Sequence, residues 1–153
     1  MRLKTKIAVT WRMCMMIIIL SACGVASVES NDVIAGTYTV TVTQERVFEL
    51  GGNQTLAAII GAGSWQLELT EDGTSRLSFQ NDIGLSLNEE GPYHLSGDKI
   101  IFETQTGEHA CRVPGAQGIY NWKIDNGQLI LTAIEDECDR KYLLIAEPWS
   151  RQP

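Results

Sequence analysis

Two-residue alternation runs through almost the whole chain after residue 35 and limits its fold more than any other feature. Tyr38, Val40 and Val42 alternate with Thr37, Thr39 and Thr41, and Trp65, Leu67 and Leu69 alternate with Gln66, Glu68 and Thr70. Successive side chains of a strand point to opposite faces, so this pattern marks strands with one covered face. The residue types, β-branched and aromatic, suit a pleated surface. Leu77 with Phe79, Tyr93 with Leu95, Ile100 with Phe102, Tyr120 with Trp122 and Ile124, and Leu129 with Leu131 continue the pattern. Tyr142 to Ala146 is nearly all apolar and reads as a last strand.

Turn chemistry tests the register. Asn126-Gly127 is a strong two-residue hairpin signal because both positions tolerate positive φ. A two-residue loop there opposes Ile124 to Leu129, Trp122 to Leu131 and Tyr120 to Ala133, six residues on one face. Gly97-Asp98 likewise sets Leu95 against Ile100 and Tyr93 against Phe102. At Glu71-Asp72-Gly73 a two-residue loop would oppose Leu69 to Arg76. A three-residue loop with Gly73 left-handed instead pairs Leu67 with Leu77 and Trp65 with Phe79. The strands fall at 36–43, 64–70, 74–80, 84–88, 92–96, 99–105, 118–125 and 128–135, with a ninth at 141–147. Serial hairpins of this kind predict an all-β fold, a single antiparallel up-and-down barrel of about eight strands, which removes exposed edges by closing. Residues 44–63 read as a long first loop with one helical turn at Thr55–Ile60 behind an Asn53 cap. The barrel domain spans 33–149, and 150–153 is a tail.

The first residues are of a different kind. Arg2, Lys4, Lys6 and Arg12 precede an apolar core, Met13 to Leu20, and no acidic residue occurs before Glu29. Eight apolar residues span about 12 Å as helix, whereas a membrane span needs roughly 20 residues. The segment is therefore an export signal rather than an anchor. Leu20-Ser21-Ala22-Cys23 resembles the lipobox of bacterial lipoproteins. That resemblance implies a signal peptide at 1–22 and a Cys23 carrying diacylglycerol and palmitate, with 23–32 as a flexible tether. Two or more acyl chains give stable membrane attachment. The implied location is the cell envelope, on the extracytoplasmic side. Gly24 follows Cys23, which allows outer-membrane delivery where two membranes are present. An ordinary cleaved signal with Cys23 incidental is the alternative.

Charge and cysteines follow from that cleavage. Of 12 Lys+Arg and 19 Asp+Glu, four basic and no acidic residues lie in 1–22, so the remainder holds 8 against 19, a net charge of −11. Such a field opposes phosphate, whose binding needs clustered Lys and Arg, and nucleic acid is excluded as a partner. Cys14 leaves with the signal and Cys23 is lipidated, which leaves Cys111 and Cys138. Two cysteines in an exported domain read as a disulfide. A metal site with His109 and Asp136, each two residues from a cysteine, is the competing reading.

The Gly36-Thr37-Tyr38 start of the first strand, the long first loop, the serial hairpins and the late cysteine pair together resemble the lipocalins and their calycin relatives. The stretch Gly118-Ile119-Tyr120-Asn121-Trp122, then Leu129 to Thr132, Asp136, Cys138 and Arg140, resembles small bacterial lipocalin-like lipoproteins. In lipocalins the opening motif is Gly-x-Trp, with the ring packed under an arginine near the last strand. The resemblance therefore implies that Arg140 stacks on Tyr38, which stands in place of the Trp.

No catalytic constellation is present: no Gly-x-Ser-x-Gly, no His-Glu-x-x-His and no phosphate-cradling loop. His94 lies between Tyr93 and Leu95 and should face solvent, and His109 falls in a loop. Glu89-Glu90, and Glu135-Asp136-Glu137 with Asp139, read as solvated acidic loops, since neither supplies calcium-loop spacing. No inward titratable side chain is expected apart from tyrosines. The aromatics Tyr38, Trp65, Phe79, Tyr93, Phe102, Tyr120 and Trp122 fall on inward faces. They form either a packed core or the wall of a cavity for a small ligand. The apolar run Leu56 to Ile60 suits a mouth or lid. The chain thus reads as a non-enzymatic, lipid-anchored barrel without cofactor or metal that binds a small apolar molecule. A filled barrel serving as a structural or protein-interaction module of the envelope is the alternative.

Overall fold

The computed structural model describes residues 31–60, 63–81, 84–107, 110–111 and 113–153. The leader, Cys23, most of the tether and His109 lie outside them. The elements run β1 (Gly36–Thr41), α1 (Gln44–Glu49), α2 (Gln54–Ile60), β2 (Ser64–Leu69), β3 (Thr74–Asn81), β4 (Gly84–Ser96), β5 (Lys99–Phe102), β6 (Gly118–Asp125), β7 (Gln128–Asp136), α3 (Arg140–Leu144) and β8 (Trp149–Arg151). Each strand pairs antiparallel with the next, and β8 pairs back with β1 through Tyr38↔Arg151 and Thr39↔Ser150. The result is a closed, eight-stranded up-and-down barrel.

The turns set the register as their chemistry requires. Asn126 and Gly127 both carry positive φ, and Ile124↔Leu129, Trp122↔Leu131 and Tyr120↔Ala133 are partners. Gly97 has φ +64°, with Leu95↔Ile100 and Tyr93↔Phe102 across the hairpin. Gly73, at φ +84°, closes the three-residue loop that pairs Leu67↔Leu77 and Trp65↔Phe79. Eight strands enclose a space that side chains can just fill. Tyr38, Tyr120, Trp149, Leu67 and Leu129 fill its centre and are fully buried. The Tyr38 hydroxyl donates to the Ile34 carbonyl at 2.8 Å and the Trp149 indole N–H to the Leu144 carbonyl at 3.0 Å, so these large rings bury no unmet polar group.

Four elements differ from the sequence expectation. The first loop holds two short helices rather than a single turn. Thr43 caps α1 by accepting from the Arg46 amide, and Asn53 caps α2 by accepting from the Leu56 amide at 2.9 Å. Residues 141–147, expected as a strand, are not one: Arg140–Leu144 is the helix α3. Its Arg140, Leu143 and Leu144 are buried, a spacing of three and four that alternation cannot provide. Pro148 blocks further helix, and the closing strand β8 follows it. The segments expected at 84–88 and 92–96 are one strand, β4, running past Gly91-Pro92. Gly91 stands there because the chain crosses close by: a Cβ would lie 2.8 Å from the Thr104 carbonyl oxygen. The residues expected to extend β5 to 105 instead leave its line after Phe102.

Cys111 and Cys138 are disulfide-bonded, with Cα atoms 5.5 Å apart. The bond ties the long segment after β5 to the turn that follows β7. Both thiols are consumed, so the metal reading of this pair fails, and no group of metal-ligating side chains occurs among the described residues.

Candidate functional site

A β-bulge on β7, the unbroken alternation of β4 and a glycine build a charged cluster inside one end of the barrel. On β4, Leu95, Tyr93 and Gly91 share the inward face, and continued alternation makes Glu89 the next inward residue. The pairing slips beside it, from Leu77↔Glu89 to Ser78↔Leu87, with one β4 residue left over. On β7, Leu129, Leu131 and Ala133 face inward, so strict alternation would turn Asp136 to solvent. Ile134 is the extra residue of a second bulge, since Tyr120 pairs with Ala133 and Ile119 with Glu135. The slip leaves Ile134, 49% exposed, and Glu135 both outward and turns Asp136 inward. Opposite Asp136 stands Gly118, where a Cβ would lie 2.5 Å from an Asp136 carboxylate oxygen and 2.9 Å from Arg140 Nη2. Glycine leaves the room the cluster occupies.

The hydrogen bonds converge on Asp136. Its Oδ2 accepts from Arg140 Nε at 2.9 Å and from the Tyr120 hydroxyl, and its Oδ1 accepts from the Cys138 amide at 2.7 Å. Arg140 Cζ lies 5.9 Å from the Phe102 ring centroid, within cation–π range. Arg140 Nη1 is 4.0 Å from Glu89 Oε2, beyond hydrogen-bond reach, and the Arg140 and Glu89 side chains are 5% and 8% exposed. Neither Nη1 nor Nη2 has a hydrogen-bond acceptor among the described residues. Burial is the largest single influence and opposes the Arg140 charge, but the bond to Asp136 and the charges of Asp136 and Glu89 together outweigh it and hold the guanidinium protonated. Burial, aided by the neighbouring Asp136, keeps the Tyr120 phenol neutral. Burial also pushes the Glu89 carboxyl up to about 7, against the pull of Arg140, with Asp136 adding to the rise.

A pocket of about 160 Å³ adjoins this cluster. Leu56, Ile59 and Ile60 of α2 line one side, Trp65 and Leu77 of β2 and β3 another, and Glu89, Asp139, Arg140 and Leu143 the third. Helix α2 is pinned over the barrel end where the Trp65 indole N–H donates to the Ile60 carbonyl at 2.9 Å. A cavity of comparable size lined by aliphatic groups accommodates benzene.

Of the seven expected interior aromatics, Trp65 lines this pocket. Phe79 packs against Trp65 at a 5.2 Å centroid distance, half-buried. Tyr93, Phe102 and Tyr120 form a run of ring contacts, 6.3 and 5.7 Å, that leads to the charged cluster. Tyr38 lies in the core with the Arg151 guanidinium 5.8 Å over its ring, so Arg151 takes the position expected of Arg140. Trp122 is half-buried, and its indole N–H has no partner among the described residues. His94 is exposed and bonds Glu103 at 3.1 Å, as its outward register requires.

The expectation of solvated acidic loops fails for Glu89 and Asp136, which are buried, and with it the expectation that tyrosines are the only inward titratable groups. The flanking Glu90, Glu135 and Glu137 do face outward. Glu89 was legible as two residues before Gly91 on the face of Tyr93, had Gly91-Pro92 not resembled a turn. Asp136 carried no such signal, because a bulge changes parity without a mark in residue type. No family model, no curated protein and no solved structure matches the chain.

Proposed function

We propose that this protein is a lipid-anchored barrel of the cell envelope, lipocalin-like in character, that binds a small ligand of largely apolar body without transforming it. The observation that carries the reading is the pocket beneath α2, apolar on two sides and flanked by two buried charged residues. Binding sites combine an apolar wall with a few placed polar groups in this way. The packed centre of the barrel limits the ligand: Tyr38, Tyr120 and Trp149 already occupy the middle, so the guest lies at the α2 end and is small. The leader and Leu20-Ser21-Ala22-Cys23 support attachment through an acylated Cys23.

Native mass spectrometry of the exported, disulfide-bonded protein tests the reading. An adduct of up to a few hundred daltons that organic extraction removes is the expected result. A clean mass, unchanged by a panel of small apolar compounds, would favour the filled barrel acting through protein partners, a reading the packed centre makes specific. Glu89, with its carboxyl near 7 beside a pocket, is also the group an acid–base enzyme would use. A ligand recovered chemically altered would favour that instead.

A further inference from the structure

We propose that Arg140 and Glu89 form a head-group site for a small monocarboxylate, whose apolar body lies among Leu56, Ile60, Trp65 and Leu77. The inference rests on the pocket reading above and adds the chemical class of the guest. It stands on three pieces of geometry. Arg140 is fixed through Nε by Asp136, leaving both Nη atoms buried and without hydrogen-bond acceptors among the described residues. A guanidinium matches a carboxylate, the acceptor that such a fork takes with two parallel bonds. Glu89 faces Arg140 across the same pocket at 4.0 Å, too far for a direct hydrogen bond.

The charges around Glu89 decide between a carboxylate and a cationic guest. Facing it are Arg140 from α3 and Asp136 from the end of β7, with Tyr120 of β6 bonded to Asp136 and the exposed Asp139 at the pocket edge. The flanks on α2 and β3 are apolar. Asp136 already engages Arg140 through Nε, so among the described residues it is the arginine's Nη donors, rather than a surplus of acceptors, that remain to be met. Glu89 takes part as the neutral acid, donating its proton to the guest oxygen that Arg140 also binds. Its carboxyl near 7 allows that at mildly acid pH at little cost. Where Glu89 is ionised, above about pH 7, binding of the carboxylate anion therefore takes up one proton, which goes to Glu89, whereas at about pH 6 that proton is already in place.

The test is saturation-transfer NMR and calorimetry on the full chain, disulfide-bonded and held in lipid nanodiscs with empty nanodiscs as blank. Hexanoate and benzoate serve as probes, and hexanamide and benzamide as their neutral counterparts. Expected are carboxylates bound at least about tenfold more tightly than amides at pH 6, and a roughly tenfold loss of carboxylate affinity between pH 6 and 8 as Glu89 ionises. Glu89→Gln, which carries a neutral donor at every pH, should remove that pH dependence and keep the preference for carboxylates. Arg140→Lys should reduce the preference if the variant folds; the Glu89→Gln result decides the case if it does not. Amides bound as tightly as carboxylates would overturn the head-group site and leave the apolar pocket standing. A carboxylate preference that ignores pH, or that Glu89→Gln abolishes, would overturn the role of Glu89. Binding of neither class would overturn the pocket reading together with this inference.

Discussion

Replacing Glu89 by glutamine isolates the energetic cost of a buried, ionisable group. The carboxyl moves from an ordinary value of 4.5 to about 7 on folding, and Glu89 is 6% exposed, so solvent screens it little. At about 1.4 kcal/mol per tenfold change in proton affinity, the shift corresponds to about 3 kcal/mol. The folded protein binds this proton more tightly than the unfolded chain. Its stabilising effect is therefore complete below pH 4.5, declines as pH rises, and is gone above about 7. The glutamine side chain has no proton to lose in this range. Relative to wild type, Glu89→Gln should gain about 2 kcal/mol between pH 4.5 and 6, and about 3 kcal/mol by pH 8. Urea unfolding of both proteins at four pH values reads this directly, because taking the difference cancels every other titrating group. Stability curves that run parallel from pH 4.5 to 8 would refute a buried, proton-holding Glu89, whatever the constant offset between them.

Gly118→Ala should destabilise by about 2–3 kcal/mol, since its methyl group would press on Asp136, Arg140 and Tyr120 at 2.9 Å or less; thermal unfolding checks it. Reducing the disulfide frees a loop closed by residues 27 apart and should cost about 3.5 kcal/mol by chain entropy, measured as a shift of the urea midpoint with and without dithiothreitol. Gly73→Ala places a Cβ at φ +84° and 2.9 Å from the Tyr93 carbonyl oxygen, and should cost more than about 1 kcal/mol in the same assay. Tyr38→Phe strands the buried Ile34 carbonyl and should cost about 1 kcal/mol, seen as a lower melting temperature with an unchanged circular dichroism spectrum.

The barrel was legible because local rules agreed with one another. Asn126-Gly127, Gly97-Asp98 and Glu71-Asp72-Gly73 each dictate a register, and each register puts apolar residues opposite apolar residues. The site was less legible because it sits where those rules are broken. Tyr142-Leu143-Leu144-Ile145-Ala146 is apolar enough for a strand, and what marks Arg140–Leu144 as helical is the burial of Arg140, Leu143 and Leu144, positions three and four apart. Asp136 faces inward through the bulge at Ile134, and Glu89 hides behind a Gly-Pro pair whose role is a close crossing of chains. Both are tertiary facts, and residue type alone does not announce them.

Cys138 joins chemistry at the rim of the barrel to charge inside it. The residue forms the cross-link to Cys111, and its own backbone amide is one of the three donors that orient Asp136, which in turn orients Arg140. Oxidant and reductant therefore have a route to the interior that needs no passage through the wall. While the two sulfurs are apart, the turn between Asp136 and Arg140 is held only by its own flanks, the end of β7 and the buried face of α3, and the Cys138 amide that orients Asp136 is less firmly placed. The bond is thus a brace on the orientation of the buried Asp136–Arg140 pair as well as on the fold, and a thiol-bearing form of the chain would keep the barrel with that pair less firmly placed.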